Sequence, residues 1–148
     1  MILILLSGCS RQTAFEYFTR LDSRHERAVT QLRRVTLTEE NRTVALINVL
    51  YLNPVDPEIY GKKPMFVVAL FDRRQVPLED YTVKLNGKVP AGMVRLDENC
   101  SLRSLMPLDN PWNVYYQLLF NKPKKSAFTL TFETDPFLKG EVTFDTDQ

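Results

Sequence analysis

Two periodicities divide the chain. Before about residue 35 apolar positions recur at a spacing near 3.6, and after it they alternate with polar ones or merge into short apolar runs. Phe15, Phe18, Leu21 or Asp22, His25, Val29 and Leu32 form the helical stripe, with Arg20, Arg24, Glu26, Arg27 and Arg33 largely off it. Thr13-Ala14-Phe15-Glu16 fits a capping box, in which the Thr hydroxyl accepts from the third helical amide and the Glu reaches back to the Thr amide. The spacing predicts an amphipathic helix over 13–34. A β-rich reading of 27–37 stays open, because Val35 and Leu37 alternate with threonines.

The remainder reads as strands and turns. Val35 to Thr38 alternates, and Glu39-Glu40-Asn41-Arg42 is a polar turn. Thr43 to Leu52 is apolar on both phases except at Asn48, which suits a strand covered on both faces. Prolines 54 and 57 stop it, and Met65 to Phe71 is a second apolar strand closed by Asp72-Arg73-Arg74. Tyr81, Val83 and Leu85 share one face ahead of Asn86-Gly87, the dipeptide suited to a type I′ turn. Pro90 and Gly92 make the return arm, with Val94-Arg95-Leu96, an irregular edge. Residues 97–113 lack periodicity, and three further strands follow around Val114–Phe120, Phe128–Phe132 and Val142–Phe144. Six to eight short strands without βαβ alternation predict a mostly β chain. The expected architecture is an antiparallel β-sandwich over 35–148, immunoglobulin-like or similar, preceded by the helix. Such a fold leaves function open.

The chain opens with Met1-Ile2-Leu3-Ile4-Leu5-Leu6-Ser7-Gly8-Cys9. The apolar run is far short of the roughly 20 residues a membrane-spanning helix needs. It is also short for a signal-peptide core and lacks a preceding cation, which places the expected true start upstream of Met1. Leu6-Ser7-Gly8-Cys9 resembles the lipobox of bacterial lipoproteins. The resemblance implies that residues 1–8 are a signal-peptide remnant, that Cys9 becomes the acylated first residue, and that 9–12 are a short tether. It further implies attachment to the membrane through acyl chains on Cys9, and Ser10 fits the outer membrane, facing the periplasm. A free amino-terminal cysteine is the plainer alternative.

Composition bounds the chemistry. Of 148 residues, 44% are hydrophobic and 25% charged, enough for one domain with a real core. A net charge of +1 gives no concentrated basic surface for nucleic acid. With Cys9 acylated, Cys100 has no disulfide partner within the chain and is expected to be buried, pairing with another chain being the lesser alternative. His25, the only histidine, reads better as a packed edge-of-core residue than as a base or metal ligand, since no ligand cluster accompanies it. The five glycines are scattered, and no serine triad or carboxylate pair stands out, so no catalytic residue, metal site or cofactor is assigned. Asp56, Glu58, Asp72, Glu79, Asp80, Asp97, Glu98 and Asp135 fall at strand ends, where convergence at one pole would suit calcium, although solubility explains them as well.

Aromatic residues near loops, Tyr51, Tyr60, Trp112, Tyr115 and Tyr116, are the more distinctive feature, and core packing accounts for at least half of them. Tyr60 in the 54–63 loop and Trp112 in the 97–113 loop are the candidate contacts for a partner or ligand. Lys122, Lys124 and Lys125 read as a solvated charge run, with attraction to anionic lipid or glycan the lesser alternative. The expected protein is therefore a lipid-anchored envelope protein whose sandwich binds an envelope protein partner. A periplasmic hydrolase or carbohydrate-binding lipoprotein is the alternative.

Overall fold

The computed structural model describes the backbone from residue 14 to 146 and the side chains from residue 23 to 146. The capping box at Thr13, the lipobox and Cys9 lie outside the described residues. Helix α1 (Ala14–Gln31) runs directly into β1 (Leu32–Glu39). There follow β2 (Arg42–Tyr51), the single turn α2 (Pro57–Tyr60), β3 (Met65–Asp72), β4 (Thr82–Leu85) and β5 (Gly92–Leu96). The chain closes with β6 (Val114–Leu119), β7 (Ala127–Thr134) and β8 (Leu138–Asp145). All pairings are antiparallel, giving a five-stranded sheet in the order β1-β2-β3-β6-β5 and a three-stranded sheet in the order β4-β7-β8. The fold is an antiparallel β-sandwich preceded by one helix, as the periodicity predicts.

The runs that are apolar on both phases explain a second layer. Ala45, Ile47, Val49 and Tyr51 of β2, with Phe66, Val68 and Leu70 of β3, face the three-stranded sheet and build the main core. Leu50 and Leu52, with Val67, Ala69 and Tyr115, face the other way into a second core under α1 and the 97–113 segment. The outer face of the three-stranded sheet carries Thr129, Thr131, Glu133, Glu141 and Thr143 and is solvated, hence the clean alternation of β7 and β8. Asn48 interrupts the β2 run because Arg34 donates from Nε to its Oδ1 at 2.8 Å, satisfying a buried amide on the outer face.

Over residues 23–31, where its side chains are described, the helix departs from its predicted face. His25 and Val29 are exposed, the latter at 55%, whereas Ala28 is fully buried and Arg24 half-buried. The packed side is displaced by one residue because the small Ala28 lets the backbone approach Leu50, Leu52 and Val55, and because Arg24 pairs with the buried Asp56. His25 is thus no edge-of-core residue. Helix α1 also ends before 34. Leu32 sits opposite Leu50 in the β1–β2 ladder and packs on the second core, which a further helical turn would forfeit.

Two local devices fix the sandwich. Asn86 and Gly87 have φ of 48° and 81°, as a type I′ turn requires, and Leu85 and Lys88 exchange both backbone hydrogen bonds across it. The arms then part into different sheets. Asn86 stands in for the next rung of the β4–β7 ladder: its amide donates to the Thr129 carbonyl, its Oδ1 accepts from the Thr129 amide at 2.8 Å, and its Nδ2 donates to the Ala127 carbonyl at 3.0 Å. At the opposite side of the molecule β8 leans on β1 through Gly140, where an added Cβ would lie 2.3 Å from Val35 Cγ1 and 2.8 Å from Leu37 Cδ2. Only a residue without a side chain lets the two sheets approach this closely.

Candidate functional site

The β2–β3 and β6–β7 connections leave the sandwich at the same pole, because β3 and β6 are paired neighbours with Met65 opposite Leu119. That pairing brings Lys62 and Lys63 beside Lys122, Lys124 and Lys125, some sixty residues away in the chain. The two loops enclose a cleft of about 500 Å³ in which Asp145 is the one acidic residue of the lining among the described residues. The five lysines are exposed, and none joins an ion pair among the described residues.

Both loops are held at their bases. Leu52 donates its amide to the Met65 carbonyl at 3.0 Å, and Phe120 donates to the Pro64 carbonyl at 2.9 Å. Asn53 closes the first loop from within, donating from Nδ2 to the carbonyls of Tyr60 and Lys63 and accepting at Oδ1 from the Met65 amide. Tyr51 and Phe128 contribute the aromatic part of the lining. They belong to a ring cluster joining the sheets, with Tyr51 stacked on Phe66 at 5.0 Å and edge-on to Phe128 at 5.7 Å. Lys62 and Lys63 thus stand on a loop fixed from within, and Lys122, Lys124 and Lys125 on one fixed at its base by Phe120.

Tyr60 lies beside this cleft and does not line it. Its ring is half-buried on the second core near Cys100, which is itself partly buried there. Burial raises the Tyr60 phenol pKa, with the Arg24 charge pulling against it. Trp112 occupies a different place. It is 76% exposed and borders a groove of about 470 Å³ with Leu46, Phe71, Leu108 and Pro111, closed on the polar side by Arg34 and Asn48. The segment carrying it is anchored by Tyr115, whose hydroxyl accepts from the Asn110 amide and donates to the Leu108 carbonyl, each at 3.2 Å. The Arg103 guanidinium stacks over the Tyr115 ring at 4.3 Å. Tyr60 lines neither this groove nor the lysine cleft. Tyr51, Tyr115 and Tyr116 are core residues.

Among the described residues the acidic strand ends form no metal-binding group. Asp56 is engaged by Arg24 at the lysine pole, whereas Asp72, Glu79, Asp80 and Asp135 sit at the other end of the strands. Asp72 is a structural clamp: Oδ1 accepts from the Arg74 amide at 2.7 Å, and Oδ2 accepts from Arg74 Nη2 at 2.8 Å and Tyr81 Oη at 2.6 Å. Arg74 also donates to the Asp135 carbonyl, tying the β7–β8 turn to the same point. Among the described residues no group of three His, Cys, Asp or Glu is placed to hold a metal ion.

Among the described residues strand β5 pairs with β6 alone, leaving its other edge open, with Val94 58% exposed on the strand and Val89 67% exposed in the connection before it. Phe137, at the β7–β8 turn with φ of 68°, is 98% exposed and carries no signal in the apolar pattern. Set against known proteins, the chain matches no family model, no curated protein and no solved structure.

Proposed function

We propose that the protein is a lipid-anchored bacterial envelope protein whose β-sandwich acts as a binding or assembly module. The anchor rests on Leu6-Ser7-Gly8-Cys9. One acyl chain gives only reversible membrane binding, whereas the two or three carried by a lipoprotein cysteine hold the protein in place. Confinement to the membrane raises the effective concentration of any partner in the same compartment.

The observation supporting a binding role is the open edge of β5. An unpaired edge offers backbone donors and acceptors to an incoming strand, and the exposed Val94 adds apolar contact beside them. Pro90, with no amide to donate, and the charges of Lys88 and Arg95 limit indiscriminate pairing there. A second reading, a carbohydrate-binding lipoprotein, draws on the exposed indole of Trp112 beside the groove, where a sugar face can stack.

Crosslinking in the native envelope, followed by purification through a carboxy-terminal tag, tests the assembly role. One partner at near-equal abundance, lost on Val94→Lys with an unchanged melting temperature, is the expected result. Glycan binding that quenches Trp112 fluorescence, with no such partner, would favour the second reading. For the anchor, Cys9→Ser is expected to move the protein from the membrane fraction to the soluble one, and an unchanged distribution refutes it.

A further inference from the structure

The lysine cleft is independent of both the β5 edge and the anchor. Five of the chain's 19 lysines and arginines line one cleft against a single acid among the described residues, although the chain as a whole carries only +1. Like charges brought together on loops anchored at their bases repel one another, and none of these five is neutralised by an ion pair among the described residues. A bound anion relieves that repulsion. Among the described residues the cleft lining contains no arginine, so it lacks the planar fork that grips a carboxylate in bidentate fashion. Several mobile ammonium groups instead suit a compact, multiply charged group that can be approached from many directions. The volume of about 500 Å³ fits a small ligand or a headgroup, and Tyr51, Phe128 and Pro123 offer an apolar wall beside the charges.

We propose that this cleft binds a phosphate-bearing anion, a phosphomonoester or diphosphate group, through Lys62 and Lys63 on one loop and Lys122, Lys124 and Lys125 on the other. The group could reach it on a phospholipid headgroup or on a soluble phosphorylated molecule, since both present the same chemistry.

The test uses the full chain carrying Cys9→Ser, so that acyl chains do not themselves partition, and inorganic pyrophosphate as the probe in isothermal titration. Binding is expected to weaken at least about ten-fold in Lys124→Glu/Lys125→Glu and less than about two-fold in Lys84→Glu/Lys139→Glu, which changes the net charge equally outside the cleft. It should also weaken several-fold between low and high salt. Should the reversed pair fail to keep the parent melting temperature, Lys124→Gln/Lys125→Gln serves instead, with a smaller loss in the same direction. No binding at about millimolar pyrophosphate, or equal losses in the cleft and control variants, overturns the proposal. Adsorption to phosphatidylcholine vesicles containing phosphatidic acid, competed by pyrophosphate, identifies the headgroup as the source. Pyrophosphate binding without adsorption identifies a soluble one.

Discussion

Gly140→Ala probes the closest approach of the two sheets. The added Cβ would lie 2.3 Å from Val35 Cγ1 and 2.8 Å from Leu37 Cδ2, against an ordinary carbon–carbon separation of roughly 3.5–4.0 Å. More than an ångström of overlap must therefore be relieved. Val35 and Leu37 are 4% and 1% exposed, so neither has an outward path, and the β-branched Val35 is stiff about χ1. Overpacking of this kind costs about 1–3 kcal/mol. Replacing glycine also restricts the unfolded chain, offsetting about 0.4–1 kcal/mol of that. A net loss of about 1–2 kcal/mol is expected, read as a fall of roughly 2–8 °C in melting temperature for a domain of this size. Urea unfolding should show a lower midpoint at unchanged slope. The decisive arm is Val35→Ala, which removes the atom in collision. The double variant should be more stable than the sum of the single losses implies, by about 1 kcal/mol. A neutral Gly140→Ala, or strict additivity with Val35→Ala, would refute the packing of β8 on β1.

Further outcomes follow from the clamp and the turn. In Asp72, burial alone would raise the carboxyl pKa, but hydrogen bonds from Arg74 and Tyr81 overcome it and hold the group below its ordinary value. Its stabilisation is thus present above the unfolded-state pKa near 3.9 and lost as pH falls through the lower folded value. Asp72→Asn is expected to cost about 2 kcal/mol at neutral pH, less than for a wholly buried pair because the Arg74 side chain is 26% exposed, and the difference should vanish in acid melts. Tyr81→Phe should be destabilising in the parent and nearly silent in Asp72→Asn, a coupling measurable by a double-mutant cycle. Asn86→Ala should cost about 1–2 kcal/mol, with amide exchange rising first at Thr129, whose N–H loses its acceptor.

Elements whose identity is set by neighbours in sequence were legible in the chain. The alternation of β7 and β8 and the two-faced run of β2 reflect local burial, and Asn86-Gly87 announces its own turn. The packed face of α1 was not, because a stripe counts only apolar residues. Here a small alanine and an arginine paired with Asp56 decide the contact, and both partners lie beyond the helix. The lysine cleft was half legible. Lys122, Lys124 and Lys125 show as a run, but their meeting with Lys62 and Lys63 depends on β3 lying beside β6. No local pattern encodes that pairing. Most of the acidic strand ends do share one pole, but Asp72 is taken up by Arg74 and Tyr81 there, and among the described residues no three acids come within reach of one ion.

The side chain that completes the β4–β7 ladder also governs how the molecule ages. Asparagine followed by glycine is the pair most prone to deamidation, in which the glycine amide nitrogen attacks the side-chain carbonyl, ammonia leaves, and water opens the resulting cyclic imide to aspartate or isoaspartate. In the folded chain the Asn86 carboxamide is held at both ends by Thr129 and Ala127 and is not free to swing toward Gly87. Unfolding releases it. The aspartate that results presents an acceptor where Nδ2 donated, directly against the Ala127 carbonyl, and so opposes refolding of that rung. Each excursion from the native state thus risks a permanent chemical mark, and the deamidated fraction at this one turn becomes a clock for time spent unfolded.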